Sequence, residues 1–307
     1  MSKPAPPVAR IFASAARQPW RWLAVVVAAA ALVAGCEGLQ TQQRKWIFQA
    51  RSSIVSVDEL ARLSSARDMQ DVWIDHVSAA SGRRIRLHGL WAPNAAPGSP
   101  VLLYLHGARR DVGGNAFRIG HMRELGFSVL AIDYRGFGAS TDELPSQDGV
   151  VEDAAAAWHW LAREHAGRPR YVFGHSLGGA VAVQLAAALA DAPATQRPRG
   201  VIVEGTFTSV GELFRTFKWG WLPITALITE RFDSLAAVSR LSSPLLVVHG
   251  SHDSLVPSRF GRALFERAAV PKRFVLVEGG AHSSTGWRGA EAYRAALREL
   301  FGVGDGA

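Results

Sequence analysis

Cysteine is almost absent from this sequence, and its scarcity excludes two common ways of stabilising a fold or building a site. The single Cys36 has no partner for an intramolecular disulfide, and no cysteine cluster exists that binds a metal ion. With 307 residues, 48% of them hydrophobic, the chain is long enough to bury a large core. The composition therefore predicts one α/β domain that is stabilised by packing.

The sequence also lacks a long basic run and a hydrophobic stretch of membrane-spanning length. The net charge is +8, but beyond residue 35 the basic residues are spread along the chain, without the basic stripe and interleaved aromatics typical of nucleic-acid binding. We therefore expect no nucleic-acid partner. The apolar segment at residues 22–35 has 14 residues, whereas a spanning helix needs about 20.

The first 36 residues are typical of an export signal. Basic residues up to Arg21 precede the apolar segment, and no acidic residue occurs before Cys36. The sequence Val33-Ala34-Gly35-Cys36 resembles a bacterial lipobox, in which the cysteine is lipidated and becomes the mature N-terminus. We expect Cys36 to be the lipid attachment site and the protein to be anchored to a membrane of the cell envelope, facing outside the cytoplasm. An uncleaved signal anchor is the alternative.

The rest of the chain reads as a polar spacer followed by one α/β domain. Residues 37–70 are polar and mixed, and from residue 71 two alternating segments predict an antiparallel pair of strands. Six short apolar runs follow, each ending in a turn, and helical patterns separate them. Continuous apolar strands between helices are typical of a mostly parallel sheet covered on both faces. We predict a doubly wound, mostly parallel sheet with antiparallel leading strands over residues 71–303, without a large cap domain.

One serine lies where a strand turns into a helix. Ser176 is the centre of a G-x-S-x-G pentad, follows the apolar run RYVFGH and directly precedes the helical pattern that starts at Leu177. This is the strand–turn–helix context of a nucleophile elbow. Gly174 and Gly178 remove the side chains that would collide in so sharp a turn. The pattern predicts that Ser176 is a nucleophile.

An aspartate and a histidine follow two later predicted strands. Asp253 comes after PLLVVHG and His282 after RFVLVEGG, so the chain order is serine, aspartate, histidine. Because parallel strands present their carboxyl ends at one edge of a sheet, the three side chains are expected to meet there. His282 is then the base and Asp253 orients it. We expect the backbone N–H groups of Leu177 and Ala108 to bind the oxyanion.

The motifs LHG, DYRGFGAS, GHSLGG, HGSHDSLVP and GGAH, in that order over about residues 70–303, resemble the α/β-hydrolase superfamily of serine hydrolases. DYRGFGAS and EGTFTSV are similar to its branch of membrane-tethered esterases and protein-acyl thioesterases. The resemblance implies hydrolysis of an ester or thioester of a small molecule or acyl chain through an acyl-enzyme, without a cofactor. An amidase or peptidase with the same triad is one alternative. A non-catalytic binding protein on the same fold is the other.

Two pairs of charged residues near the predicted site have other interpretations. Asp133 and Arg135 follow a predicted strand, and we expect them to hold the loop after it. Arg109 and Arg110 border the expected oxyanion loop, where they are either a solvated pair or a contact for an anionic substrate.

A pair of histidines and one apolar segment each allow more than one interpretation. His249 and His252 lack the neighbouring carboxylates of a metal site, and we predict none there. Residues 208–243 are rich in large apolar side chains, including Trp219 and Trp221. This segment is either a helix packed on the sheet or, in part, a roof that binds an acyl chain.

Overall fold

An eight-stranded sheet forms the centre of the fold in a computed structural model, which describes residues 35, 37–50, 68–223 and 225–304. The strands are β1 Gln70–Val77, β2 Arg84–Ala92, β3 Val101–Leu105, β4 Ser128–Ile132, β5 Arg170–His175, β6 Gly200–Glu204, β7 Leu245–Gly250 and β8 Lys272–Val277. They are arranged in the order β1-β2-β4-β3-β5-β6-β7-β8. β2 pairs antiparallel with β1 and β4, and all other pairs are parallel. The predicted fold class is confirmed.

The central strands are buried on both faces. Every residue of β3, β4 and β5 is buried, and neighbouring side chains of β3 belong to different hydrophobic clusters on the two faces of the sheet. Leu103 packs in one cluster, and Leu102 and Tyr104 pack in the other. This double burial explains why these strands are continuous apolar runs in the sequence rather than alternating ones.

Helices cover both faces. They are α1 (residues 43–48), α2 Ala116–Glu124, α3 Gln147–Glu164, α4 Leu177–Ala188, α5 Val210–Phe214, α6 Ser234–Val238, α7 Arg259–Arg267, α8 Thr285–Arg288 and α9 Ala290–Phe301. The longest of these helices, α3, is capped by Ser146, whose hydroxyl accepts from the N–H of Gly149. α2 was not predicted, because Gly120 and several polar residues interrupt its apolar periodicity.

The chain divides into two units, residues 1–42 and 43–307. In the first unit the structure describes Gly35 and the helical residues 37–42, so Cys36 and the rest of the predicted export signal lie outside the described residues. Among the described helices, none combines the length and the apolar character that crossing a membrane requires.

Residues 43–50 differ from the expectation of a polar spacer over residues 37–70. Phe48 is fully buried in the main hydrophobic cluster, and its ring centroid lies 6.0 Å from that of Phe232. The partly buried Ile47 packs against the same cluster. The packed unit therefore begins well before residue 71, because this short segment supplies apolar side chains to the core.

The segment at residues 208–243 is not one helix packed on the sheet. It contains α5, α6 and a short 3₁₀ turn at Thr225–Leu227, and no large cap domain occurs among its described residues. Trp219 and Trp221 are 58% and 74% exposed. These two indole rings therefore do not bury against the core.

Candidate active site

Ser176 has a strained backbone at the turn between β5 and α4. Its φ is 55° and its ψ is −120°, a combination that residues with a side chain rarely adopt. Its N–H donates to the carbonyl oxygen of Glu204 at 2.9 Å. Its own carbonyl accepts from the N–H of Gly179 at 2.9 Å and from the hydroxyl of Thr206 at 2.8 Å. Neighbouring groups thus hold the serine in the turn that the sequence predicts.

Glycines allow the backbone segments around this serine to approach closely. A Cβ on Gly174 would collide with the carbonyl of Gly178, and a Cβ on Gly178 would collide with the carbonyl of Leu105. A Cβ on Gly107 would lie 3.1 Å from the Cβ of Ser176. The loop after β3 therefore passes directly beside the serine side chain.

The aspartate and the histidine that follow β7 and β8 are in direct contact. His282 Nδ1 lies 2.7 Å from Asp253 Oδ2. The other oxygen, Oδ1, accepts from the N–H groups of Leu255 at 3.0 Å and Val256 at 2.8 Å. Burial alone would raise the pKa of Asp253, but hydrogen bonds with His249 and His282 outweigh it and hold the pKa well below its usual range. The buried aspartate is therefore a carboxylate.

Ser176 and His282 line one cavity of about 460 Å³. Its apolar lining includes Ile47, Phe117, Phe207, Val210, Leu213 and Leu255. Trp219 and Trp221 are not among its described lining residues, whereas Val210 and Leu213 of the same segment are. The part of the segment that contacts the cavity is therefore α5, not the tryptophans.

Two backbone N–H groups lie beside Ser176 in this cavity. Leu177 is the first residue of α4, where N–H groups have no partner within the helix, and Ala108 follows Gly107 in the loop after β3. In the part of the chain that the structure describes, neither N–H donates to a protein acceptor. Both residues line the cavity together with Ser176.

Asp133 and Arg135 hold the loop after β4. Asp133 Oδ1 accepts from the N–H of Val112 at 2.8 Å, and its Oδ2 lies 3.3 Å from His88 Nδ1. Arg135 forms a buried ion pair with Asp153 at 2.7 Å. Neither residue lines the cavity, which agrees with the structural role expected for both.

The paired arginines and histidines singled out in the sequence lie in different surroundings. Arg109 and Arg110 are exposed and line the cavity, and Arg109 Nε donates to Gln49 Oε1 at 2.9 Å. His249 is buried beside Asp253, with Nε2 2.7 Å from the carbonyl oxygen of Val256, whereas His252 is exposed. Within the described ranges, no three histidine, cysteine or acidic side chains converge as metal ligands would.

Three residues close to the site were missed or underestimated from the sequence. Arg118 of α2 contacts both the buried Glu204 and the loop that carries His282. His175 directly precedes Ser176, and its side chain hydrogen-bonds to the backbone of His282. Glu204 had a signal, because it is a carboxylate inside the apolar run GVIVEG. Arg118 had none, because α2 itself was not predicted.

Fold and site together define a hydrolase of the α/β type, in which a serine elbow and a histidine from a later strand border one cavity and an aspartate contacts the histidine. Comparisons with known proteins agree. Residues 97–236 match the family described as serine aminopeptidase, S33. An uncharacterized protein of Mycobacterium tuberculosis (strain H37Rv) is 34% identical over 265 residues, which cover 84% of this chain and 87% of that protein. The chain therefore belongs to the α/β-hydrolase superfamily and is a hydrolase.

Other relatives are lysophosphatidylserine lipases. The ABHD12 lipase of Gallus gallus is 30% identical over 239 residues, which cover 70% of this chain and 61% of the lipase. The Danio rerio lipase is 32% identical over 189 residues, which cover 56% of this chain and 48% of the lipase. The chain thus spans only about half to three-fifths of these lipases.

Solved structures share the fold. An α/β hydrolase from Vibrio vulnificus superposes with a TM-score of 0.67 at 19% identity, covering 83% of this chain and 92% of that one. The Pyrococcus furiosus esterase Pf2001 superposes with a TM-score of 0.60 at 17% identity, covering 78% and 94%. At these identities the similarity extends to the fold alone.

Proposed function

We propose that this chain is a serine hydrolase that cleaves a carboxylic ester or thioester with an apolar acyl group. The observation that carries the proposal is the strained Ser176 in one cavity with His282, whose Nδ1 lies 2.7 Å from Asp253. The apolar lining of that cavity and the lysophosphatidylserine lipases among the relatives support an acyl chain as substrate.

The proposed reaction uses these groups in two stages. His282 takes the proton of the Ser176 hydroxyl as its oxygen attacks the substrate carbonyl, and Asp253 orients and stabilises the imidazolium. The N–H groups of Leu177 and Ala108 stabilise the oxyanion. His282 then gives its proton to the departing alcohol or thiol. A water molecule, activated by the same histidine, hydrolyses the acyl-enzyme and restores the serine.

An aminopeptidase with the same residues is the second candidate, because the matching family carries that description. An aminopeptidase must bind the protonated amine of its substrate, which a nearby carboxylate would stabilise. The described lining of the cavity contains Arg109 and Arg110, as well as Arg118, whose charge is paired with Glu204, but no aspartate or glutamate. This positive lining disfavours a substrate with an ammonium group and therefore argues against the aminopeptidase. A non-catalytic binding protein would not require the strained backbone of Ser176, because strain of this kind is typical of functional sites.

The proposal is tested with purified full-length protein and two substrate series. We expect p-nitrophenyl esters from acetate to palmitate to be hydrolysed at least about tenfold faster than aminoacyl p-nitroanilides, because the apolar lining accommodates an acyl chain and the arginines disfavour the ammonium group of the anilides. Faster turnover of the anilides would favour the peptidase. A folded protein that turns over neither series would contradict hydrolysis by this site.

The same ester series distinguishes cavity residues from exposed ones. In Leu213→Trp the larger side chain fills part of the cavity, and kcat/KM for the longest esters is expected to fall about tenfold relative to the shortest. Trp221→Ala is the matched control, because Trp221 belongs to the same segment but is 74% exposed and outside the described lining. An equal shift in both variants would show that the cavity does not set chain length.

Anchoring through Cys36 belongs to the same proposal and rests on the sequence of the export signal. Cys36→Ser removes the thiol that would be lipidated, so the protein is expected to lose its membrane attachment. Fractionation of cells that express the parent and the variant measures this. Unchanged membrane attachment of the variant would favour the uncleaved signal anchor.

A further inference from the structure

A buried ion pair lies directly behind His282. Arg118 Nη1 of α2 lies 2.7 Å from Oε1 of Glu204, the last residue of β6, whose side chain is fully buried. The other terminal nitrogen, Nη2, donates to the carbonyl oxygens of Ser283 at 2.9 Å and His282 at 3.4 Å. One guanidinium group thus connects a sheet carboxylate with the loop that carries the proposed base.

Glu204 also contacts the proposed nucleophile. Its backbone carbonyl accepts the N–H of Ser176 at 2.9 Å, while its carboxylate binds the arginine that holds the histidine loop. The hydroxyl of Tyr293 donates to the second carboxylate oxygen at 3.3 Å. A single residue therefore links the two chain segments whose separation decides whether Ser176 and His282 can exchange a proton.

His175 adds a second connection between these segments. It precedes Ser176, and its Nε2 lies 3.0 Å from the carbonyl oxygen of His282. Burial, with Arg118 and His282 nearby, holds the pKa of His175 well below its usual range, so the ring is neutral. In the tautomer with a proton on Nε2, it donates to that carbonyl.

Buried charges of this kind are a poor means of stabilising a fold. Removing two charges from water is unfavourable, and apolar residues of similar volume often serve stability as well or better. What an apolar pair cannot do is donate to the carbonyls of His282 and Ser283. The fixed, forked donors of arginine reach a carboxylate and two carbonyls together, and the ammonium of lysine on its flexible stem does not reproduce that geometry.

We propose that Arg118 and Glu204 are positioning residues that fix the His282 loop relative to Ser176. This inference rests on the proposed serine hydrolase function. The pair acts on the proton-transfer geometry and not on the substrate, so its loss should lower kcat and leave KM for an uncharged ester unchanged.

The test compares Arg118→Lys with Arg135→Lys, using an uncharged p-nitrophenyl ester. Arg135 is the matched control, because it also forms a buried ion pair, with Asp153, but does not line the cavity. We expect kcat of Arg118→Lys to fall about tenfold to a hundredfold, with KM within about twofold of the parent. Arg135→Lys should lower Tm without changing kcat in the folded protein.

A double variant separates positioning from stability. Arg118→Met leaves the carboxylate of Glu204 buried without its partner and should lower Tm, whereas adding Glu204→Gln removes that charge and should restore part of Tm. The proposal requires kcat to stay low in the double variant. Recovery of kcat together with Tm would overturn it, as would a raised KM with unchanged kcat in Arg118→Lys. An inactive parent would instead refute the proposed function.

Discussion

Replacing Ser176 with alanine is expected to lower kcat/KM for esters by at least about 10⁴-fold, because the attacking oxygen is lost and no acyl-enzyme can form. The variant should also lose its covalent adduct with a fluorophosphonate probe, measured by intact mass. The fold should persist, because alanine and serine meet the same steric restriction at the φ of 55°. The neighbouring backbone hydrogen bonds need no serine hydroxyl.

Ser254→Ala is the control for this experiment. Ser254 is exposed in the loop of Asp253 and is not among the described residues that line the cavity. Both this variant and the parent should react with one equivalent of probe. An adduct of equal yield on Ser176→Ala would place the nucleophile elsewhere. A folded parent that gains no adduct would favour the non-catalytic binding protein.

The strands of this fold could be predicted because their burial is visible in the sequence. β3 and β4 are buried on both faces, so both are continuous apolar runs bounded by turns. α1 gave no such signal, because only Phe48 and the partly buried Ile47 of this six-residue segment contribute to the core. Its packing follows from tertiary contacts with distant residues such as Phe232, which no local pattern encodes.

The same distinction applies to the site. Ser176, Asp253 and His282 each follow a recognisable strand, and the parallel sheet brings the ends of those strands to one edge. Arg118 and Glu204 are 86 residues apart in the chain. Their pairing depends on how α2 packs beside the sheet edge, so this ion pair could not be predicted, although Glu204 itself stands out as a carboxylate in an apolar run.

Asp253→Asn is expected to lower kcat by about 10⁴-fold while preserving the fold. The amide oxygen of asparagine can still accept from the N–H groups of Leu255 and Val256, so the loop keeps its hydrogen bonds. The amide nitrogen, however, would face His282 Nδ1 as a donor. The histidine would then carry its proton on Nε2, the nitrogen that must accept the proton of Ser176.

Asp233→Asn is the matched control for the asparagine variant. Asp233 caps the N-terminus of α6 by accepting from the N–H of Ala236, a role that asparagine fills equally well. It does not line the cavity, so both kcat and Tm should stay near the parent values. A fall in kcat of less than about tenfold in Asp253→Asn would remove Asp253 from the proposed mechanism.

The pH dependence of the free energy of unfolding tests the charge of Asp253 independently of activity. Its folded-state pKa is depressed, whereas that of an unfolded aspartate is about 3.9. The carboxylate therefore stabilises the protein above about pH 4, and this contribution is lost as the pH falls further. Asparagine cannot titrate. The difference in the free energy of unfolding between the parent and Asp253→Asn should therefore decrease as the pH falls from about 5 to about 3. Urea unfolding at several pH values measures this difference, and a constant difference would mean that folding does not lower the pKa of Asp253.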